Sequence, residues 1–373
     1  MKTLVIVLGE TRAAELTFQN FKKNVIDELE ADLCICIGVK PGYDTNNPFY
    51  QLAKYRFLYD EPDDYAKAFD EAYAEFLVDA PVYETLEGMN ALYGKVKNVN
   101  DVPQSICDYG IEVPEDSSFN TIVQHSPDFE DDTWKSRVYG LNTDDFGVAQ
   151  KNVTTYKKHL PWREFLKIKN QFLGGILDEK NQHPGSAGIL IFFRWFLLKK
   201  LKENGLMEEY DHFVITRSDY LYQLPHPKVT KMSTKYIWIP DGENYGGYTD
   251  RHAILSKSTI EPYLNILNMM FSKSNEYFMK MKGYEEWNLE KLIYFHLLEN
   301  GMINQVREFP YVMFTVRPVN GTTRWAQGIY IPQLGFNVKY MSELTKSSQY
   351  QQEFIKTHGT IDEFYQPLYR SRA

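Results

Sequence analysis

Leu4-Val-Ile-Val-Leu8 and Leu33-Cys-Ile-Cys-Ile-Gly-Val39 flank a segment, Ala14–Leu29, whose apolar residues Leu16, Phe21, Val25, Ile26 and Leu29 recur at helical spacing. Short unbroken apolar runs of this kind read as strands buried on both faces, the pattern of a parallel sheet. The spacing predicts a βαβ unit with a right-handed crossover, and hence an α/β fold with helices flanking a mostly parallel sheet. Further along, Lys54–Tyr59 reads as a third strand. Pro62–Phe76 reads as an acidic amphipathic helix with proline near its first turn.

Residues from about Asn98 to His159 have no sustained period and are rich in Asp, Ser, Asn and Pro. That is too long for a plain loop in a compact domain, so an acidic insertion or lid is expected at 98–160. Periodicity returns at Trp162–Leu173. Ser186–Leu201 is apolar nearly all round, the mark of a buried helix, with Lys199, Lys200 and Lys202 at its solvated end. Phe213–Thr216 and Tyr236–Ile239 read as core strands. Ser258-Thr-Ile-Glu261 has the form of a capping box opening a helix Thr259–Phe271, and Asn288–Glu299 reads as a helix ended by Gly301. Beyond Pro310 the reading is short strands (Val312–Val316, Ile329–Ile331) and a last helix near Gln349–Lys356. The expected organisation is one domain over 1–300, including the insertion, with 301–373 as a C-terminal extension packed on it.

Composition narrows the function. The chain has 373 residues, 43% of them apolar and 24% charged, which excludes disordered and fibrous classes. Its net charge is −9, and 21 acids against five bases fall between Asp60 and Asp145, so the rest of the chain is mildly basic. No Lys/Arg-rich run exists, so a duplex nucleic-acid partner is not expected, whereas a small phosphorylated ligand suits the basic remainder. Three cysteines cannot form a disulfide framework, which points to a reducing, cytoplasmic setting. The apolar run Thr3–Leu8 is too short for a signal peptide, and Ala187–Leu198, interrupted by Arg194, is too short for a membrane span. There is no G-x-G-x-x-G after the first strand, no P-loop, no G-x-S-x-G, no H-E-x-x-H and no zinc spacing among the eight histidines.

The sharpest local feature is Tyr210-Asp-His-Phe-Val-Ile-Thr-Arg-Ser-Asp-Tyr-Leu-Tyr222, a buried strand that runs out into Arg217-Ser-Asp219. The carboxyl ends of strands are where open α/β sheets bind ligands. A carboxylate there can hold a hard divalent cation that neutralises a diphosphate, and an arginine two residues earlier can do the same by bidentate pairing. The alternative is a structural Arg–Asp pair closing the strand.

The passage resembles the metal-binding strand end of GT-A-type glycosyltransferases, whose signature is Asp-x-Asp. With Arg-x-Asp in its place it is similar to a branch known from bacteria and large DNA viruses. The resemblance implies a GT-A-like fold and transfer of a sugar from a nucleotide diphosphate sugar to a hydroxyl of a glycan or glycoconjugate. It also implies Mn²⁺ or Mg²⁺ held by Asp219, although Arg217 stands at the first Asp position and its guanidinium is a second source of positive charge. By the same resemblance Gly9, Thr11 and Arg12, at the end of the first strand, begin the nucleotide site. Arg194 is a charge inside an apolar helix and must be paired, either with a diphosphate or with a structural acid. Asp250, in Pro240-Asp-Gly-Glu-Asn-Tyr-Gly-Gly-Tyr-Thr-Asp-Arg-His252, resembles an acceptor-side Asp, and Tyr245 and Tyr248 of the same loop are candidates to stack on a sugar. Glu286, in Gly283-Tyr-Glu-Glu-Trp-Asn-Leu-Glu290, resembles the segment that supplies the base. A sugar nucleotidyltransferase and a non-catalytic carbohydrate-binding protein are the alternative readings.

Overall fold

The computed structural model describes residues 1–79, 160–168, 173–177, 185–283, 287–321 and 326–371. Most of the expected insertion at 98–160, and Glu286, lie outside them. In chain order the elements are β1 (Thr3–Gly9), α1 (Ala14–Phe21, continued by a wider turn to Asp27), β2 (Asp32–Val39), α2 (Pro48–Leu52), β3 (Tyr55–Asp60) and α3 (Ala66–Asp79). Next come α4 (Ala187–Glu203), α5 (Leu206–Glu209), β4 (His212–Thr216), β5 (Tyr220–Tyr222), β6 (Ile237–Pro240), β7 (Ala253–Ser256), α6 (Ile260–Leu264), α7 (Ile266–Ser272), α8 (Ser274–Lys282) and α9 (Leu289–Glu299). The chain ends with β8 (Val306–Phe309), β9 (Met313–Arg317), β10 (Ile329–Ile331), β11 (Phe336–Val338), α10 (Met341–Lys356), α11 (Ile361–Tyr365) and β12 (Arg370–Ser371).

Two compact units result: residues 1–65, 170–266 and 286–373 form one, and 66–169 with 267–285 form the other. In the second, Phe69 packs at a tilt on Trp162 with ring centroids 5.0 Å apart, Tyr73 meets Phe271 edge-on at 5.0 Å, and the Trp162 indole N–H donates to Asp70 at 2.9 Å. The first unit carries the site.

Among the described residues its main sheet has eight strands in the order β12-β8-β6-β7-β4-β1-β2-β3. β3, β2, β1 and β4 are mutually parallel, β7 runs antiparallel to both β4 and β6, and β6 pairs in parallel with β8. The fold is therefore α/β, with a mixed, mostly parallel sheet flanked by helices, as the first two strands predict. Val5, Val7, Leu33, Ile35 and Ile37 are buried on one face against Phe21 and Val25 of the first crossover. On the other face Phe192 and Phe193 of α4 pack on Tyr59, with ring centroids at 4.6 and 6.4 Å. Each such aromatic contributes about 1.5–3 kcal/mol by leaving water, which explains why a helix apolar on all sides belongs here. No described helix is long and apolar enough to cross a membrane.

Three local expectations need correction. The boundary at 300/301 does not divide the structure, because β8 and β12 complete the main sheet and β9 joins β5, β10 and β11 in a four-stranded sheet. The capping box at Ser258–Glu261 does not form: the Thr259 hydroxyl accepts from Ser256 N at 2.9 Å, and the helix breaks at Asn265. The last long helix starts at Met341, eight residues before the expected Gln349, since its first turns are anchored by one buried carboxylate rather than by an apolar stripe. That carboxylate, Glu343, accepts from Thr315 N at 2.6 Å, the Tyr311 hydroxyl at 2.8 Å and Arg251 at 2.7 Å. Breaking a buried pair strands the surviving charge, so Glu343→Ala should cost about 3–5 kcal/mol in urea unfolding. A loss under about 1 kcal/mol would mean that α10 is held by other contacts.

Candidate functional site

β1 has β2 on one side and β4 on the other, so the chain leaves it in opposite directions and opens a crevice beyond the carboxyl ends of these strands. A cavity of about 740 Å³ lies there. Its walls come from the loops after β1, β2 and β3 and from α4 (Leu190 and Phe193 among them). Arg217 and Asp219 line it beyond β4, Arg317 at the end of β9, and Lys339 just after β11. β1 can end so abruptly because Gly9 takes φ +100°, a conformation open to glycine. The β1 and β4 loops are laced together: the Ser218 hydroxyl donates to Glu10 O at 2.9 Å or Arg12 O at 3.1 Å, and the Thr17 hydroxyl to Ser218 O at 2.6 Å.

Asp219 is fully buried. Arg217 grips it bidentately, Nε to Oδ1 at 2.8 Å and a terminal nitrogen to Oδ2 at 2.7 Å. Arg317 donates to the same Oδ2, and Arg12 Nε lies 3.9 Å from it. Burial by itself would raise this carboxyl's pKa, but the charges of Arg217 and Arg317 outweigh it and hold the group well below the usual carboxylate range.

The lining is short of negative charge. Arg12, Lys40, Arg217, Arg317 and Lys339 face Glu10, Glu61 and Asp219, five cations to three acids, a surplus of two. Lys40 and Lys339 have no carboxylate partner among the described residues. Burial, together with Arg217 and Arg317, brings the Lys339 ammonium down to about 7, as expected of a cation with no anion beside it.

A divalent cation does not fit these residues. Both Asp219 oxygens already accept from guanidiniums, and no group of three or more His, Cys, Asp or Glu suited to a metal occurs among the described residues. An ion beside Asp219 would also sit against two or three fixed positive charges.

The other candidates divide. Thr11 lines the cavity, but its hydroxyl is engaged by the Tyr43 hydroxyl at 2.6 Å, so it orients that ring. Arg194 is not in the lining. Its guanidinium is fully buried and donates to Asp250 O at 2.8 Å and Leu190 O at 3.3 Å, so its partners are backbone carbonyls. It thereby ties the cavity wall at Leu190 to the loop carrying Asp250. Tyr248 is buried against Tyr294 and cannot stack on a ligand, whereas Tyr245 is 46% exposed.

The loop after β6 is strained, with Glu243 and Tyr245 at φ +52° and +41°. It docks on the first turn of α9 through Tyr248 N to Glu290 O at 3.0 Å and Asn288 to Tyr245 O at 3.0 Å. Gly247 allows this approach, because a Cβ there would collide with the Glu290 carbonyl. The loop thereby brings the Asp250 charge within electrostatic reach of Glu290. The Asp250 side chain is 9% exposed, with Oδ1 lacking any hydrogen bond and lying 3.7 Å from Arg251 Nε. Glu290, pushed up by burial and by the Asp250 charge, titrates at about 7. Sequence reading named Glu286, outside the described residues, where the structure brings Glu290 to Asp250. It also missed Arg317 and Lys339, which carry no local motif.

No family model matches the chain, and no curated protein matches it. Among solved structures it is similar to mouse Xyloside xylosyltransferase 1 in its apo form, with 7% identity over 82% of this chain and 83% of that one and a TM-score of 0.30. The functional reading therefore stands on the geometry of this chain.

The Asp219 clamp has a pH signature. Its folded pKa lies below that of an unfolded Asp, near 4, so its contribution is complete above about pH 4 and is lost as pH falls further. In urea titrations from neutral to acid pH, Asp219→Asn should lower stability at neutrality by about 3–5 kcal/mol and flatten the acid dependence. An unchanged acid slope would place the proton uptake on other groups.

Proposed function

We propose that this chain is a glycosyltransferase that moves a sugar from a nucleotide diphosphate sugar to a hydroxyl of a glycan or glycoconjugate. The observation that carries this reading is the cavity at the β1/β4 crevice, cationic in excess, with a carboxylate pair one step beyond its wall. A diphosphate supplies the missing negative charge. The acceptor hydroxyl attacks the sugar's anomeric carbon as the bond to the diphosphate oxygen breaks. The electrons go to the leaving diphosphate, where fixed guanidiniums stabilise the growing charge. The hydroxyl proton goes to Glu290, whose carboxyl, pushed up to about 7, suits a general base.

Thermal unfolding against UDP, GDP, CMP and dTDP tests the donor half. One of them at 100 times its Kd should stabilise the chain by roughly 2.7 kcal/mol, and no shift with any nucleotide would overturn the reading. For the acceptor half, Glu290→Gln should keep that nucleotide shift yet lose about 10²–10⁴-fold in transfer. Because the base must be ionised, wild-type kcat/KM should rise with pH up to about 7 and then level. A Glu290→Gln enzyme with the same rising limb would remove Glu290 from the role.

A further inference from the structure

We infer that the diphosphate is held here without a divalent cation, by Arg217, Arg317, Arg12 and Lys339, and that Asp219 is the anchor that sets those guanidiniums rather than a metal ligand. The inference rests on the nucleotide-sugar reading and concerns how that site neutralises its ligand.

Three observations carry it. First, both Asp219 oxygens are committed to guanidiniums: Arg217 bonds to each of them, and Arg317 adds a second bond to Oδ2. Second, Arg12, Arg217, Arg317 and Lys339 face Asp219 and Glu10, the latter paired with Arg12, so about two positive charges remain to face a ligand. A diphosphate in an ester linkage carries the same charge with opposite sign. Third, the Lys339 ammonium lines the cavity over the Tyr340 ring at 4.7 Å, with no hydrogen bond or ion pair to any described residue. A half-buried ammonium with no hydrogen bond or ion pair is unfavourable, and an entering phosphate relieves it. Around it stand Arg217 and Asp219 from the β4 end, Arg317 from β9 and Arg251 from the loop before β7, so Asp219, already engaged, is the one anion among them.

Arginine forks also match phosphate oxygens in pairs, which a point charge such as Mn²⁺ does not need. The fixed guanidiniums thus offer geometry as well as charge. Removing them should weaken binding in a way that added metal cannot restore.

The test is calorimetric titration with UDP, GDP and dTDP, each with EDTA and with Mn²⁺. The expected result is that one nucleotide binds with Kd equal within about twofold in the two conditions. Lys339→Met, at the cavity rim, should fold normally by thermal unfolding and bind about tenfold or more weakly, with Mn²⁺ giving no rescue. Binding seen with Mn²⁺ and lost in EDTA would overturn the metal-free inference while leaving the donor reading intact. Mn²⁺ rescue of Lys339→Met would overturn it as well. Absence of binding in both conditions would overturn both.

Discussion

The site depends on a single buried carboxylate held among three guanidiniums. Asp219 sits where β4 leaves the sheet, and a bare carboxylate at that depth would cost several kcal/mol. Arg217 supplies a rigid fork from two residues away, and Arg317 arrives from β9, 98 residues later. Because Ser218 lies between the two partners and bonds to the carbonyls of Glu10 and Arg12, the ends of β1, β4 and β9 are drawn to one point. The segment after residue 300 is accordingly part of the same unit: without it the clamp loses a partner and the sheet loses β8 and β12.

The same clamp determines what the cavity can accept. Guanidiniums committed to a carboxylate still present unused N–H groups and most of their field, and Lys40 and Lys339 add charge that no described carboxylate meets. A cavity built this way is preorganised for an anion, with the electrostatic work done during folding rather than at binding. The structural Arg–Asp pair and the lining of a cation-rich cavity, which look like alternatives in the sequence, are one arrangement.

How much of this is legible depends on range. The β1-α1-β2 unit is plain because strands buried on both faces read as continuous apolar runs and the intervening helix keeps its period. The strand carrying Arg217 and Asp219 is legible for the same reason. Arg317 and Lys339 are not, since Val316-Arg-Pro and Val338-Lys-Tyr have no spacing that separates them from surface residues. Arg194 shows how far a local rule reaches: a lone charge in an apolar helix must be paired, and it is, but its partners are carbonyls that no side-chain pattern announces. The capping box at Ser258–Glu261 fails through competition, because the Thr259 hydroxyl closes the turn back to Ser256 instead of capping the helix ahead. α10 begins early because Glu343 finds its donors on β9 and in the loops before β7 and β9, a tertiary reason that the polar sequence of its first turns hides.

Two acids of similar intrinsic strength end in opposite states within one unit, and the division follows from their neighbours. Asp219 is buried among guanidiniums that hold its pKa well below the usual carboxylate range, so at neutral pH it stays ionised and organises charge. Glu290 is half-buried within reach of the Asp250 charge, and its ionised form is penalised by both desolvation and repulsion, which push it up to about 7. Pairs of groups whose environments push their pKa values apart are the means by which one fold separates charge stabilisation from proton transfer. Gly247 and Arg194 make the separation possible: the first lets the loop of Asp250 press against the backbone of Glu290, and the second ties that loop to the cavity wall. The cationic cavity and the Asp250–Glu290 pair are thus separate places, joined through one buried arginine on α4.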